Sequence, residues 1–402
     1  MTTRRGLLKN ALAGAFAMAT GLAGRLAHAA LPDGSLRSQV LESLSGKKPM
    51  WKRSFRPPNY ETPLEAFGDV LTPNDQFFVR WHLPLIPEVD PRAWRLTVSG
   101  AGADGERSFT LDDLKRDFEA VEVVAVCQCA GNRRGYSDPH VPGVQWGSGA
   151  VGNARWRGVR LKDILARAGM RKETLEVGFA AGDRAPLDAT PPFVKSIPTW
   201  KAIEDTTIIA YEMNGAPLPH WNGQPARVVV PGWVATYWLK QVTHIELLTA
   251  PAKTFWMSTA YRIPKGRFPV DDRFPTQSSD ASTPITEILV NSIVTSPVAG
   301  ATHRAGSPLA VRGIAWDGGA GIRRVDVSLD DGHSWTAAAL GDELGRFSFR
   351  SFELIVPAPV PGPLRILARA INTRGVAQTE VLNFNPAGYH NNVMDVVTVT
   401  VV

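Results

Sequence analysis

The feature that most constrains the fold is a change of texture at Ser278-Ser279-Asp280-Ala281-Ser282-Thr283-Pro284. Beyond it the chain breaks into short alternating runs at residues 288–293, 309–316, 322–329, 346–352, 364–371 and 393–402, each punctuated by turn residues. A two-residue period puts one side of a run against a core and the other in water. Runs at this spacing predict an antiparallel β-sandwich of immunoglobulin type in about the last 120 residues. The whole chain has 402 residues, too many for one domain, so the sandwich follows a separate unit, with the boundary near residue 284.

That first unit reads differently. Between residues 74 and 250, β-rich runs at 77–81, 94–98, 121–126, 207–213, 227–230 and 242–248 alternate with short helical patterns at 111–118 and 161–168, which predicts a mixed α+β domain. Neither a G-x-G-x-x-G fingerprint after the first strand nor a Walker A sequence occurs, so nucleotide binding has no support. Residues 31–62 are polar, Pro-bearing and aperiodic, and are expected to form an arm over the body that carries no chemistry. With 36 glycines, 31 prolines, 44% hydrophobic and 20% charged residues, the composition is globular and turn-rich, which excludes disordered and fibrous classes.

The net charge of +6 includes Arg4, Arg5, Lys9 and Arg25 from the first thirty residues, leaving +2 for the remainder. No run of Lys and Arg with interleaved aromatics survives, so nucleic acid is not an expected partner. The same thirty residues have the pattern of an export signal. Thr3-Arg4-Arg5-Gly6-Leu7-Leu8-Lys9 is followed by an apolar stretch over 11–22 and by Ala27-His28-Ala29. This matches the twin-arginine type, implying a signal over 1–29 and a folded, cofactor-loaded protein delivered to the periplasm. No segment reaches the ~20 apolar residues of a membrane span.

Chemistry concentrates where a β run ends in a basic, glycine-bearing turn, Val126-Cys127-Gln128-Cys129-Ala130-Gly131-Asn132-Arg133-Arg134-Gly135-Tyr136. The chain has two cysteines, Cys127 and Cys129, which excludes a disulfide framework and a four-cysteine metal site. At i and i+2 of an extended segment they face one side, about 6.7 Å apart at Cα, near the upper limit for a disulfide, and are expected as free thiols. An arbitrary buried cysteine is most often a small hydrophobe. Beside two fixed cations the thiolate is favoured, and thiolate is the form that ligates soft metals.

The segment Cys129-Ala130-Gly131-Asn132-Arg133-Arg134 resembles the molybdenum-ligand motif of the sulfite oxidase family, and further matching segments follow in family order. Phe77-Phe78-Val79-Arg80-Trp81-His82-Leu83-Pro84 resembles its substrate-arginine segment. Trp146 and Ala154-Arg155-Trp156-Arg157-Gly158-Val159-Arg160-Leu161 follow the cysteine as they should. Pro225-Ala226-Arg227-Val228-Val229-Val230-Pro231-Gly232 and Trp238-Leu239-Lys240 resemble the pterin-binding stretch, and Tyr261 falls at the substrate-site tyrosine. The resemblance spans essentially all of the chain after the signal. It implies a molybdopterin-binding catalytic domain over 30–284 and an immunoglobulin-like, dimerisation-type domain over 285–402.

It also implies roles. Cys129 would be the one protein ligand to molybdenum, the others coming from the pterin dithiolene and oxo or hydroxo groups. Phe78, Arg80, His82, Asp188, Asn222, Arg227, Trp238, Leu239 and Lys240 would hold the molybdopterin, with Asn222 standing at the family's pterin histidine and Asp188 as candidate for its pterin-contact aspartate. An amide at 222 donates and accepts but does not titrate. Arg80, His82, Arg134, Trp146 and Tyr261 would form the catalytic set, offering converging donors and fixed positive charge to a small oxyanion, sulfite.

Two departures stand out. Animal members place a further substrate-site arginine in the C-terminal domain beside a Trp-Ser-Gly-Gly-Gly-like turn. Here Trp316-Asp317-Gly318-Gly319-Ala320-Gly321 is one residue shorter and lacks it, which implies that substrate affinity is set differently. No C-x-x-C-H haem attachment sequence occurs, so the chain is expected to carry no haem and to reduce an external c-type cytochrome. The favoured reading is a periplasmic sulfite dehydrogenase. Its rivals are a sulfane dehydrogenase acting with a thiosulfate-oxidising complex, a methionine sulfoxide reductase and, in a different class, a non-enzymatic immunoglobulin-like binding protein.

Overall fold

The computed structural model describes residues 40–270 and 272–402. The segment read as a twin-arginine signal lies outside the described residues. Among them, no helix is long and apolar enough to cross a membrane.

The polar segment expected as an arm without chemistry is built into the body instead. Val40–Glu42, Met50–Ser54 and Asn59–Glu61 form an antiparallel meander that ends on Val79–Arg80, with Asn59 opposite Arg80. Its strands are too short and polar to show periodicity. They form because Met50, Tyr60, Val79 and Trp81 bury together as a small core of their own.

Two larger sheets make the rest of the first unit. In one, Ala120–Gln128 pairs over its full length with Val151–Arg160, which is flanked on the far side by Ile208–Met213. Ala216–Pro217 and Arg227–Val229 both join Ile208–Met213. The other runs Val194–Pro198, Glu176–Ala181, Val242–Leu248, Arg95–Ser99, Arg107–Thr110, with one parallel pair, Val242–Leu248 beside Arg95–Ser99. The helix Leu111–Asp117 starts on a capping box. The Thr110 hydroxyl accepts from the Asp113 amide at 2.9 Å and the Asp113 carboxylate accepts from the Thr110 amide at 2.8 Å, satisfying two donors that a helix start leaves unpaired.

The C-terminal part is a two-sheet β-sandwich. Asn291–Ser296, Leu309–Trp316, Arg350–Val356 and Ala339–Leu340 form one sheet; Thr302–His303, Asp395–Val401, Gly362–Asn372, Ile322–Ser328 and Thr336–Ala337 form the other. Their inner faces enclose Val311, Val325, Phe352, Ile366 and Val399. Two strands begin later than the runs 288–293 and 346–352 that foretold them. Ile288, Phe347 and Phe349 belong to the core of the first unit, so those apolar residues join the two halves. The Val126 amide donates to the Phe347 carbonyl at 2.8 Å, and the Trp316 indole donates to Gln128 Oε1 at 2.6 Å, both beside the cysteine turn.

Candidate active site

Cys129 sits where Ala120–Gln128 stops. Its amide donates to the Ala150 carbonyl (2.9 Å), the Asn132 amide returns to the Cys129 carbonyl (2.9 Å), and the Ala150 amide donates to Asn132 Oδ1 (3.0 Å), closing a tight turn. A Cβ at Gly131 would lie 2.6 Å from the Arg134 guanidinium, so a larger residue there would displace that side chain. Arg133, at φ +66°, is held in the left-handed region by buried hydrogen bonds from Nη1 to the Val393 carbonyl (2.6 Å) and Asn291 Oδ1 (3.2 Å). A bulky residue keeps such a conformation only where its surroundings over-determine it.

The turn opens into a pocket that Cys127 and Cys129 both line. Burial pushes the Cys127 thiol up, against the pull of the Arg227 guanidinium, whose Nη2 donates to its Sγ at 3.8 Å. One wall carries Arg80, His82 and Tyr261. His82 Nε2 and the Tyr261 hydroxyl are hydrogen-bonded, while Arg80 Nη1 donates to the Trp81 carbonyl and to Asn59 Oδ1 (3.3 Å). Phe193 stacks on the His82 ring at 3.7 Å and Trp256 meets it edge-on at 5.3 Å. Burial, then Arg80, Lys240 and Lys195, hold His82 well below the ordinary imidazole range, so the ring is neutral. Burial raises the Tyr261 phenol, so it stays protonated. Tyr261 is a second bulky residue at positive φ, +58°.

The opposite wall is cationic. Arg227 is buried, with Nη1 donating to the Asn222 carbonyl and Nη2 to the Trp238 carbonyl, each at 3.0 Å. Lys240 Nζ donates to the Arg80 carbonyl at 2.6 Å and lies 4.3 Å from the Trp81 ring centre. Burial, with Arg227 nearby, pushes Lys240 down to about 7. Among the described residues lining the pocket, Asp183 is the one acid. Its carboxyl is raised by burial and lowered by Lys240. Asn222 is fixed from behind by Lys47, whose Nζ donates to Asn222 Oδ1 (2.5 Å), the Asn74 carbonyl (2.6 Å) and the Phe77 carbonyl (3.0 Å). Ser45 accepts from the indole of Trp221, another wall residue, at 2.9 Å.

Cys129, Phe78, Arg80, His82, Asn222, Arg227, Trp238, Leu239, Lys240 and Tyr261 therefore meet in one pocket. Three sequence candidates do not line it. Asp188 is exposed, and Asp183, five residues earlier and buried, faces the pocket in its stead. Trp146 is fully buried against the cysteine turn, its carbonyl accepting from the Gly135 amide at 2.8 Å. Arg134 lies beyond the turn, donating to the Ala387 carbonyl (2.8 Å) and the Val144 carbonyl (3.2 Å), with its guanidinium 5.3 Å from the Tyr389 ring centre. Lys47, Asp183, Phe193, Trp221, Thr236 and Tyr389 went unread. None had a visible signal: Lys47, for one, is a single cation among Arg37, Lys48, Lys52, Arg53 and Arg56 in the same stretch.

The wall suits an anionic cofactor. Arg227 Nε and Thr236 Oγ1 are buried polar atoms without a hydrogen-bond partner, and such a group costs about 1–3 kcal/mol unless a ligand satisfies it. Arg80, Arg227 and Lys240 outnumber Asp183, which fits a phosphate-bearing pterin. Among the described residues no three His, Cys, Asp or Glu gather as a metal cage, so a soft metal held at Cys129 would need its other ligands from a cofactor.

Residues 82–256 match the family described as the oxidoreductase molybdopterin binding domain, and residues 282–401 match the Mo-co oxidoreductase dimerisation domain. The chain is 38% identical over 333 residues to the sulfite oxidase of Gallus gallus, covering 80% of this chain and 71% of that one. It is 37% identical over 332 residues to the mitochondrial sulfite oxidase of Homo sapiens, covering 79% of this chain and spanning 59% of the human protein's length. A solved structure, the sulfane dehydrogenase SoxCD from Paracoccus pantotrophus, superposes with a TM-score of 0.73 at 27% identity, over 86% of this chain and 85% of that one.

Proposed function

The chain belongs to the sulfite oxidase family of molybdenum oxidoreductases, and from that membership we propose that it oxidises sulfite to sulfate and passes the electrons singly to an external c-type cytochrome. The cofactor of the family is molybdenum bound by molybdopterin. When bound, that group supplies the oxygen transfer and takes up the electron pair. Cys129 would be its thiolate ligand, and Arg227, Lys240, Asn222, Thr236 and Asp183 its pterin cradle.

The observation that carries the reading is the meeting of Arg80, His82 and Tyr261 on the wall of the pocket that Cys129 lines. Sulfite and water yield sulfate, two protons and two electrons. Arg80 offers a fixed positive charge to the oxyanion and Tyr261 a neutral hydroxyl donor. His82 Nε2, neutral and bonded to that hydroxyl, can accept a proton there and holds it only briefly, because Arg80, Lys240 and Lys195 oppose a charged ring. Phe193 and Trp256 pack against the His82 ring and fix its plane. The proposed setting is the periplasm, reached in folded form by the twin-arginine route.

The test is sulfite-dependent reduction of a c-type cytochrome by molybdenum-loaded protein. The rate should fall as salt rises past about 0.1 M, where the screening length is ~10 Å, while ferricyanide reduction changes much less. The SoxCD superposition favours one second reading, oxidation of a sulfane. Turnover of that substrate with none of sulfite would replace the first reading by the second, and full-rate reduction of oxygen would remove the cytochrome.

A further inference from the structure

Between Gly362–Asn372 and Asp395–Val401 the sandwich sends a loop, residues 385–394, back onto the cysteine turn. The His390 amide donates to the Ala130 carbonyl (3.4 Å), Asn391 Nδ2 to the Arg133 carbonyl (3.1 Å), and Arg134 Nε to the Ala387 carbonyl (2.8 Å). A Cβ at Gly388, φ +60°, would lie 2.5 Å from Val141 and 2.8 Å from Arg134, so glycine is what permits the approach. Asn385 clamps the next residue at both ends of its backbone: Nδ2 donates to the Tyr389 carbonyl (2.7 Å) and Oδ1 accepts from the Tyr389 amide (3.1 Å).

The Tyr389 ring placed this way is stacked on Tyr261, centres 5.6 Å apart and planes within 9°, while the Arg134 guanidinium lies 5.3 Å from its centre. Tyr261 in turn is hydrogen-bonded to His82, and both line the pocket with Arg80. We propose that Tyr389 is a positioning residue through which the C-terminal sandwich sets the affinity of the oxyanion pocket, holding Tyr261 in its strained backbone conformation and Arg134 beside it. This rests on the reading of the pocket as an oxyanion site.

Three observations support it. Tyr261 has φ +58°, and a strained residue persists only where neighbours hold it. The stack supplies such a neighbour, and aromatic pairs and cation–π contacts both depend on ring orientation. The sandwich offers no cation at the turn of residues 316–321, where Asp317 Oδ1 instead accepts from the amides of Gly319 (2.9 Å) and Gly321 (3.0 Å). Burial and the Tyr261 hydroxyl keep the Tyr389 phenol protonated, so its side chain brings no negative charge to repel an anion.

The test uses the molybdenum-loaded protein with Tyr389→Leu, which fills most of the volume without an aromatic face, and Tyr389→Phe, which keeps the face and loses the hydroxyl. Sulfite KM and kcat are read by ferricyanide reduction, and sulfate binding to the resting protein by calorimetry. Tyr389→Leu should weaken both sulfite KM and sulfate affinity by about five- to tenfold, as expected for loss of a stack and a cation–π contact, with kcat within about twofold. Molybdenum content should match the wild type, and Tyr389→Phe should restore most of the affinity. Unchanged affinity in Tyr389→Leu overturns the proposal, and so does an equal loss in Tyr389→Phe, which would mean that the hydroxyl and not the ring matters. If the wild type does not oxidise sulfite, the functional reading fails by itself, and sulfate binding still decides the role of Tyr389.

Discussion

The pocket wall and the sandwich core are both buried, yet they are built on opposite terms. In the sandwich, Val311, Val325, Ile366 and Ala368 are fully enclosed, each adding about 25 cal/mol for every Å² of apolar surface removed from water. At the pocket, Arg227 in the wall and Lys47 behind it are almost as deeply enclosed, at 3% and 7% exposure, and among the described residues neither has a carboxylate in hydrogen-bond range. Carbonyl and amide oxygens and ring faces satisfy them in part, and desolvation of the charge remains a cost. One region is folded for stability; the other holds cations ready for an anion that the chain does not itself supply.

The largest expected break between the two comes from Cys129→Ser. Turnover should fall to background and molybdenum content should drop, while the melting curve stays near wild type, because a hydroxyl is a poor ligand for a soft metal. Cys127→Ser should be far milder; if the two results are exchanged, the ligand assignment is wrong.

Phe352→Ala makes the opposite separation. It empties a buried site in the sandwich and should cost about 3–5 kcal/mol in denaturant unfolding, with sulfite KM unchanged in the folded fraction. A large shift in KM would show that the two cores are not separable. Next in size, Arg80→Gln should raise the sulfite KM about tenfold or more, since a charge-assisted hydrogen bond contributes about 1.5–3 kcal/mol. Arg134→Gln should act similarly, through Tyr389 where Arg80 acts directly, and steady-state kinetics unchanged in both would remove the anion pocket.

The last separation is a titration. Burial lowers both Lys240 and Lys47 to about 7 in the folded protein, while an unfolded lysine keeps its proton to about 10.4. Between those values the unfolded chain binds more protons, so cofactor-free protein should melt higher as pH rises from 7 toward 10. Below 7 both states are charged and this contribution is flat. An anionic cofactor favours the charged lysines, so the slope should shrink in loaded protein. Melting curves across that range check both statements, and a slope of the opposite sign would show that the lysines stay charged when buried.

The sandwich was legible because its residues alternate: six of its nine strands overlap runs visible in the sequence, and two of the six, Asn291–Ser296 and Arg350–Val356, are displaced because Ile288, Phe347 and Phe349 serve the neighbouring core. Val151–Arg160 was not legible as a strand. Its sequence, VGNARWRGVR, has no two-residue period, and it is extended because Ala120–Gln128 and Ile208–Met213 pair with both its edges. Most of the pocket could be named residue by residue, since Cys129, Arg80, Arg227 and Lys240 stand in recognisable segments. Asp183 could not be told from Asp188, because in sequence both are acids in a loop and only burial distinguishes them.

Lys47 and Tyr389 show where the sequence stops. Local order fixes what depends on neighbours along the chain: the period of a strand and the glycine-bearing turn after Cys129; it did not fix the surroundings of the thiols, because Arg133 and Arg134 turn to carbonyls of the sandwich and burial pushes Cys127 up. Lys47 reaches Asn222 across 175 residues and Tyr389 reaches Tyr261 across 128. Neither contact leaves a local pattern, because hydrogen bonding and ring stacking act over a few ångströms of space, and only the packed chain decides which residues lie that close.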